Sequence, residues 1–259
     1  MARDFNGTSD KLSVGVAVVS GYPWTFAGWG NIDNATTSGC IVAVGDTAAG
    51  SNAWQLYFAG EDAGDPIRVQ SRAASVNQFS TTTTGFTAGA WTYLTGVGAS
   101  STSRTVYING GSSGSNTNSS VPASLDKTSI GVRGMSTDSN FLNGRIADCT
   151  IWNVGLTAAE VLMLANGMHP HAMRRTSLVG YWRVGVGSPD PDWSGQANNM
   201  TVAGTTVADH VRLGLPFGFD LGWQGAFTAA AVGGDPEGRL IGGKLLHGGL
   251  LVNRGVLVG

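Results

Sequence analysis

Charge is scarce in this chain. Only 12% of its 259 residues are Asp, Glu, Lys or Arg, against roughly 25% in an average soluble domain. Fifteen cations and seventeen anions leave a formal net charge of −2, with no basic cluster and no run of like charges. Phosphate contacts need grouped Lys and Arg, so no nucleic-acid partner is expected. Apolar runs of membrane-spanning length are missing, so no membrane partner is expected. The opening "MARDFNG" lacks the apolar segment of a secretory leader, and no signal peptide is predicted. The two cysteines, Cys40 and Cys149, are too few for a disulfide framework. Cys149 falls within an apolar alternation and reads as a buried thiol; a Cys40–Cys149 bridge stays open on sequence alone.

Catalytic signatures are missing too. Hydrolysis of a glycosidic bond needs two carboxylates flanking the scissile bond at a set separation. The nearest approach is "GEDAGD", with Glu61, Asp62 and Asp65, whose spacing and glycines read as a solvated turn. His169 and His171 form "HPH", two metal ligands without a third nearby. His210 and His247 are isolated. There is no phosphate loop, no G-x-S-x-G and no Ser–His–Asp arrangement. Enzyme activity is not expected.

What the chain does contain is Gly, 40 residues of it, with Ser, Thr, Asn and Asp clustered between short apolar runs. That punctuation belongs to many strands joined by tight turns. "KLSVGVAVV", "WTFAGWGNI", "CIVAVGD", "NAWQLYFAGE", "PIRVQSRA", "AWTYLTGVGA", "SRTVYINGG", "KTSIGVRGM" and "FLNGRIADCTIW" read as strands of an all-β antiparallel sandwich. One helix interrupts the series. Thr157 and Glu160 form a T-x-x-E capping box, Gly167 stops the helix and Pro170 prevents its resumption. Val161, Leu162, Leu164 and Ala165 offer an apolar stripe, predicted to plug an open end of the sandwich.

The order "FNGTSDKL", "AWTYLTGV", "RTVYING", "SIGV" and "FLNGRIADCTIWNVGLTAAEV" resembles the concanavalin A-like, laminin-G-like jelly-roll family over about residues 3 to 167. The resemblance implies two curved antiparallel sheets that bind glycan or protein, in some members with calcium. Glycosidases of that fold carry an E-x-D-x-x-E strand, which "GEDAGD" does not match. An acidic pair usually follows "G-x-I"; here its first position is Ala147, leaving Asp148 alone. Calcium, the one cofactor the resemblance admits, would draw on Asp148 with Asp10 and Asp138 in nearby loops. "SLVGYWRVGVGSPDPDWSGQANNMTVAGTT" is similar to a stretch that precedes the rest in this family. Residues 178–184 and 199–207 are therefore predicted to complete the same sandwich, in the manner of a circular permutant, rather than to begin a second repeat. The jelly-roll domain is set at residues 1–212.

The family implies a search for sugar-stacking aromatics. Trp29, Trp91, Trp152 and Trp182 occupy framework positions, whereas Trp54, Trp193 and Trp223 are less constrained. Trp193, beside Asp190, Asp192 and Asn198, is the leading glycan or cation candidate, with Trp54 as the second aromatic. A loop pinned by its own aromatic is the competing structural reading.

Residues 213–259 change character. "RLIGGKLLHGGLLVNRGVLVG" repeats every six residues, an even period that returns equivalent residues to one face of an extended chain. Paired glycines oppose a helix. The segment reads as an extended Gly/Leu-rich arm too thin to bury its own side chains. Leu240, Leu245, Leu246, Leu251, Val252, Leu257 and Val258 are the expected oligomerisation residues, and a homotrimer is the expected state. Docking on a neighbouring protein is the other form of this reading; packing back on the domain and disorder are the alternatives.

An apolar arm on a jelly roll, together with "SPDPDWSG", resembles proteins of tailed-phage virions. The resemblance implies a non-enzymatic structural protein of a virion surface, a capsid decoration or fibre-like component assembled in the host cytoplasm. Its partners would be itself and other virion proteins such as the major capsid protein. The alternative is a carbohydrate-binding adhesion module that contacts host surface glycans.

Overall fold

The computed structural model describes residues 1–210 and, beyond them, the backbone of 245–247 and 250–252. Strands follow in the order β1 (Ala2–Asn6), β2 (Lys11–Val14), β3 (Trp24–Ile32), β4 (Ser38–Gly45), β5 (Ala53–Ala59), β6 (Pro66–Ala73), β7 (Val76–Gly85) and β8 (Thr92–Ser100). Then come β9 (Ser103–Ile108), β10 (Gly111–Asn116), β11 (Lys127–Ile130), β12 (Asn143–Trp152), helix α1 (Ala158–Ala165), β13 (Leu178–Trp182), β14 (Thr201–Ala203) and β15 (Thr206–Ala208). They build an eight-stranded sheet, β10-β9-β8-β3-β12-β1-β15 with β13 also on β12, and a seven-stranded sheet, β14-β2-β11-β4-β5-β6-β7. All named pairings are antiparallel, and the fold is the expected concanavalin A-like jelly roll.

Strand β3 explains the helix. All nine of its residues are buried, which a strand with one solvated face would not allow. Trp24, Phe26 and Ile32 point into the core between the sheets. Ala27 and Trp29, on the opposite side, join a second apolar cluster with Tyr93, Trp152, Tyr181, Val161 and Leu164. Helix α1 therefore covers the outer face of the eight-stranded sheet instead of plugging an end. Outward positions of β3, β8, β12 and β13 are aromatic and must be shielded from water. Val161 and Leu164 face this cluster, while Leu162, counted in the apolar stripe, is 46% exposed. The capping box is present: the Glu160 N–H donates to Thr157 Oγ1 (3.3 Å), and the Thr157 N–H donates to Glu160 Oε2 (2.8 Å).

Residues after the helix return to the sandwich. Strand β13 pairs with the second half of β12, β14 with β2 and β15 with β1. A buried ion pair fastens this return: Arg3 Nε donates to Asp190 Oδ2 at 2.6 Å, and both side chains are almost wholly buried. Gly144 marks a close strand contact. Its φ is +145°, and a Cβ there would lie 2.1 Å from the Asn31 carbonyl oxygen.

The chain divides into two units, Met1–Gly218 and Phe219–Gly259. In the second, β16 (Leu245–His247) pairs antiparallel with β17 (Leu250–Val252). Leu245, Leu246, Leu251 and Val252 lie on these strands, whose side chains are not described. Leu240, Leu257 and Val258 lie outside the described residues.

Candidate functional site

The fold disperses the residues singled out above. Trp54 lies in the sandwich core, 1% exposed and packed on Tyr22 and Trp24. It has no free face for a sugar, because position 54 points inward in the alternation of β5. Asp190 is also removed from the glycan candidates. Fully buried, it accepts N–H bonds from Gly185, Val186 and Gly187 besides Arg3. Asp192 staples its own loop, taking the N–H groups of Tyr181, Ser194 and Asn198 at 2.8–3.0 Å. Only Trp193 is accessible, 44% exposed, with the Arg183 guanidinium 5.7 Å from its ring centroid.

The three calcium candidates each have different partners. Asp10 accepts from the Asn6 N–H (3.1 Å), and Asp138 pairs with Lys11 (2.5 Å) and Lys127 (3.6 Å). Asp148 accepts from the Tyr181 hydroxyl (3.1 Å). Among the described residues no group of three or more His, Cys, Asp or Glu is placed to hold a metal. Cys40 and Cys149 are buried free thiols, and burial raises the pKa of both. Of the "GEDAGD" carboxylates, Glu61 accepts from Ser38 Oγ (2.6 Å) and Asp62 pairs with Arg68.

A polar groove forms instead on the outer face of the seven-stranded sheet. In β5 and β6, Leu56, Phe58, Ile67 and Val69 point into the core. Period-two alternation therefore turns Gln55, Tyr57, Arg68, Gln70 and Arg72 to the other side. Strand register sets Tyr57 opposite Arg68, Gln55 opposite Gln70, and Gln70 opposite Phe79. The segment between β11 and β12 adds Arg133, fixed by an Nε bond to Ser139 Oγ (3.0 Å) and an Nη1 bond to Gln70 Oε1 (3.4 Å). Tyr57, Arg68, Gln70, Asn77, Arg133 and Asn140 line a cavity of about 230 Å³. A second cavity, of about 500 Å³, shares Ser38, Glu61 and Asn140 with it.

The electrostatics of this groove centre on Arg133. Arg68 has Asp62 as counter-ion, but Arg133 has no carboxylate partner among the described residues. Burial lowers the Arg133 pKa and raises that of Tyr57. An arginine nevertheless keeps its proton at any physiological pH, so a partly desolvated cation faces the groove beside neutral amides and a neutral phenol, with Glu61 and the Asp62–Arg68 pair on the same lining. Such a set donates and accepts hydrogen bonds in fixed planes, as recognition of hydroxyl-rich or acidic ligands requires. Apart from Glu61 and Asp62, read there as a solvated turn, none of these residues was singled out from sequence. The alternation in "AWQLYFA" and "PIRVQSRA" holds the information, but only the pairing register shows that the polar faces adjoin.

Residues 6–162 match the family model described as the concanavalin A-like lectin/glucanases superfamily. No curated protein sequence matches the chain. Among solved structures, the heptameric SAP-like pentraxin of Limulus polyphemus is similar at 16% identity and a TM-score of 0.62, covering 83% of this chain and 97% of its own. A putative carbohydrate-binding protein from Bacteroides ovatus is similar at 17% identity and 0.56, covering 82% and 61%. Domain 4 of the extracellular arabinanase AbnA of Geobacillus stearothermophilus, solved with arabinotriose, is similar at 23% identity and 0.51, covering 63% and 76%.

Proposed function

The chain belongs to the concanavalin A-like lectin/glucanases superfamily, and we propose that it is a non-catalytic carbohydrate-binding module whose glycan lies in the groove around Arg133. The observation that carries this reading is the uncompensated Arg133 guanidinium, set among Gln70, Asn77 and Asn140 in a cavity on the sheet face. Sugar hydroxyls, or a sugar carboxylate, pair with the guanidinium N–H groups not taken by Ser139 and Gln70. Fold-level likeness to the Bacteroides ovatus protein and to the arabinotriose-bound domain supports the class, not the ligand. Turnover is not part of the proposal: Glu61 and Asp62 are already engaged by Ser38 and Arg68. The virion role expected from the Gly/Leu-rich arm receives no support from the comparisons, and the carbohydrate reading displaces it; self-association through the arm remains part of the proposal.

A glycan array followed by calorimetry on the full chain tests this reading. Wild type binds at least one glycan class, and Arg133→Gln weakens that binding by about tenfold or more, the loss of a charge-assisted hydrogen bond. Trp193→Ala leaves it unchanged. No glycan bound by wild type, or binding lost in Trp193→Ala and kept in Arg133→Gln, refutes the assignment.

A further inference from the structure

A separate cavity, of about 480 Å³, opens over the outer face of the eight-stranded sheet, beside the end of helix α1. Trp29, Tyr93, Asp148, His169, Tyr181 and His210 are among its lining residues. Trp29 and Tyr93 sit opposite one another in β3 and β8, with ring centroids 4.9 Å apart. Asp148 reaches this face through a distortion. The register of β12 against β3 shifts between Ala147 and Thr150, and Asp148 has φ +48°. A bulge of this kind re-aims a side chain. One Asp148 oxygen accepts from the Tyr181 hydroxyl (3.1 Å); the other lies 4.0 Å from His210 Nδ1.

His210 is the second, independent observation. Its side chain is only 8% exposed, its ring packs edge-on to Trp91 with centroids 4.5 Å apart, and its Nε2 has no hydrogen-bond partner among the described residues. A buried polar atom left without a partner is costly and calls for one. In the tautomer protonated on Nδ1, the nitrogen 4.0 Å from Asp148, Nε2 presents a lone pair and needs a donor. Burial lowers the pKa of both His169 and His210, which keeps the imidazoles neutral and able to accept. Two cations border the lining among the described residues: the Arg183 guanidinium, drawn towards the Trp193 ring, and the Met1 α-ammonium, which adds to the lowering of the His210 pKa.

A carboxylate oxygen, an imidazole lone pair and the electron-rich faces of Trp29, Tyr93 and Tyr181 share one requirement. An anion would be repelled by Asp148. A neutral hydroxyl would satisfy His210 but bring no charge to Asp148. A protonated primary amine brings three N–H donors and a positive charge that aromatic faces attract. We propose that this cavity binds the primary ammonium group of a small molecule, at Asp148 and His210, on the opposite sheet from the groove of Arg133. The site does not depend on the carbohydrate reading.

Calorimetric titration of the full chain with D-glucosamine, methylammonium and N-acetyl-D-glucosamine tests it. Glucosamine binds, and its acetylated, uncharged counterpart binds about tenfold or more weakly, the loss of one charge-assisted contact. Methylammonium binding as well shows that the ammonium suffices; glucosamine binding alone shows that the ring contributes. Asp148→Asn removes the charge while keeping an acceptor for Tyr181 and a residue that tolerates left-handed backbone. It weakens glucosamine by a similar factor and leaves glycan binding at Arg133 intact. Equal binding of both sugars, no binding of either amine, unchanged affinity in Asp148→Asn, or loss in Arg133→Gln instead, overturns the proposal.

Discussion

Asp190→Ala probes whether the segment after the helix is part of the folding unit. Its carboxylate serves four donors at once: Arg3 Nε at 2.6 Å and the N–H groups of Gly185, Val186 and Gly187 at 3.0–3.1 Å. Arg3, 6% exposed, would keep Thr205 Oγ1 (3.2 Å) and the Gly187 carbonyl as partners but lose its only counter-charge among the described residues. Breaking a buried ion pair by removing one partner costs about 3–5 kcal/mol, because the surviving charge stays desolvated. Against a typical domain stability of about 5–15 kcal/mol, that is a large fraction. Urea unfolding followed by tryptophan fluorescence reads the change directly as a lower midpoint at constant slope. Adding Arg3→Met to the variant removes the stranded charge and recovers a substantial part of the loss. A cost below about 1 kcal/mol for Asp190→Ala would refute the reasoning. Strands β13 to β15 would then be an annex to the jelly roll and not the closure of its two sheets.

Two further outcomes follow from the packing and the titrating groups. Gly144→Ala places a methyl 2.1 Å from the Asn31 carbonyl at a φ of +145°; it lowers stability by at least about 1–3 kcal/mol, and thermal unfolding equal to wild type would exclude that clash. His169 and His210 are held below their ordinary pKa of 6.5, chiefly by burial. The unfolded chain therefore takes up protons first as pH falls through about 6.5, so stability is full above that value and declines below it. Melting temperatures measured from about pH 7.5 to about pH 5.5 should fall, and His210→Gln should flatten the fall; identical slopes in the two proteins would dismiss His210 as a contributor.

Much of the architecture was legible because it depends on local chemistry. Period-two alternation in β5 and β6, the T-x-x-E box of α1 and the stop at Gly167 need no knowledge of distant neighbours. The ordered motifs from "FNGTSDKL" to "GRIADCTIW" carry the fold family for the same reason: each records a strand with its turn. The destination of α1 was misread, because covering an end and covering a face require the same apolar stripe. Only the buried outward side of β3 distinguishes them.

Site residues were less legible, since a side chain's chemical type does not say whether water can reach it. Trp54 and Asp190 have the composition of a sugar site, yet one fills the core and the other neutralises Arg3. Arg133, Gln70 and Tyr57 belong to segments far apart in the chain and meet only through strand register. His210 acquires its setting from Asp148 and Trp91, which precede it by many residues. By itself the sequence determined which segments extend, where the helix begins and ends, and which family the chain resembles, all consequences of short-range sterics and periodicity. The tertiary structure alone decided which face the helix shields, which polar residues share a groove and which charges are buried. Those properties follow from pairing between remote strands and from the exclusion of water that the pairing brings.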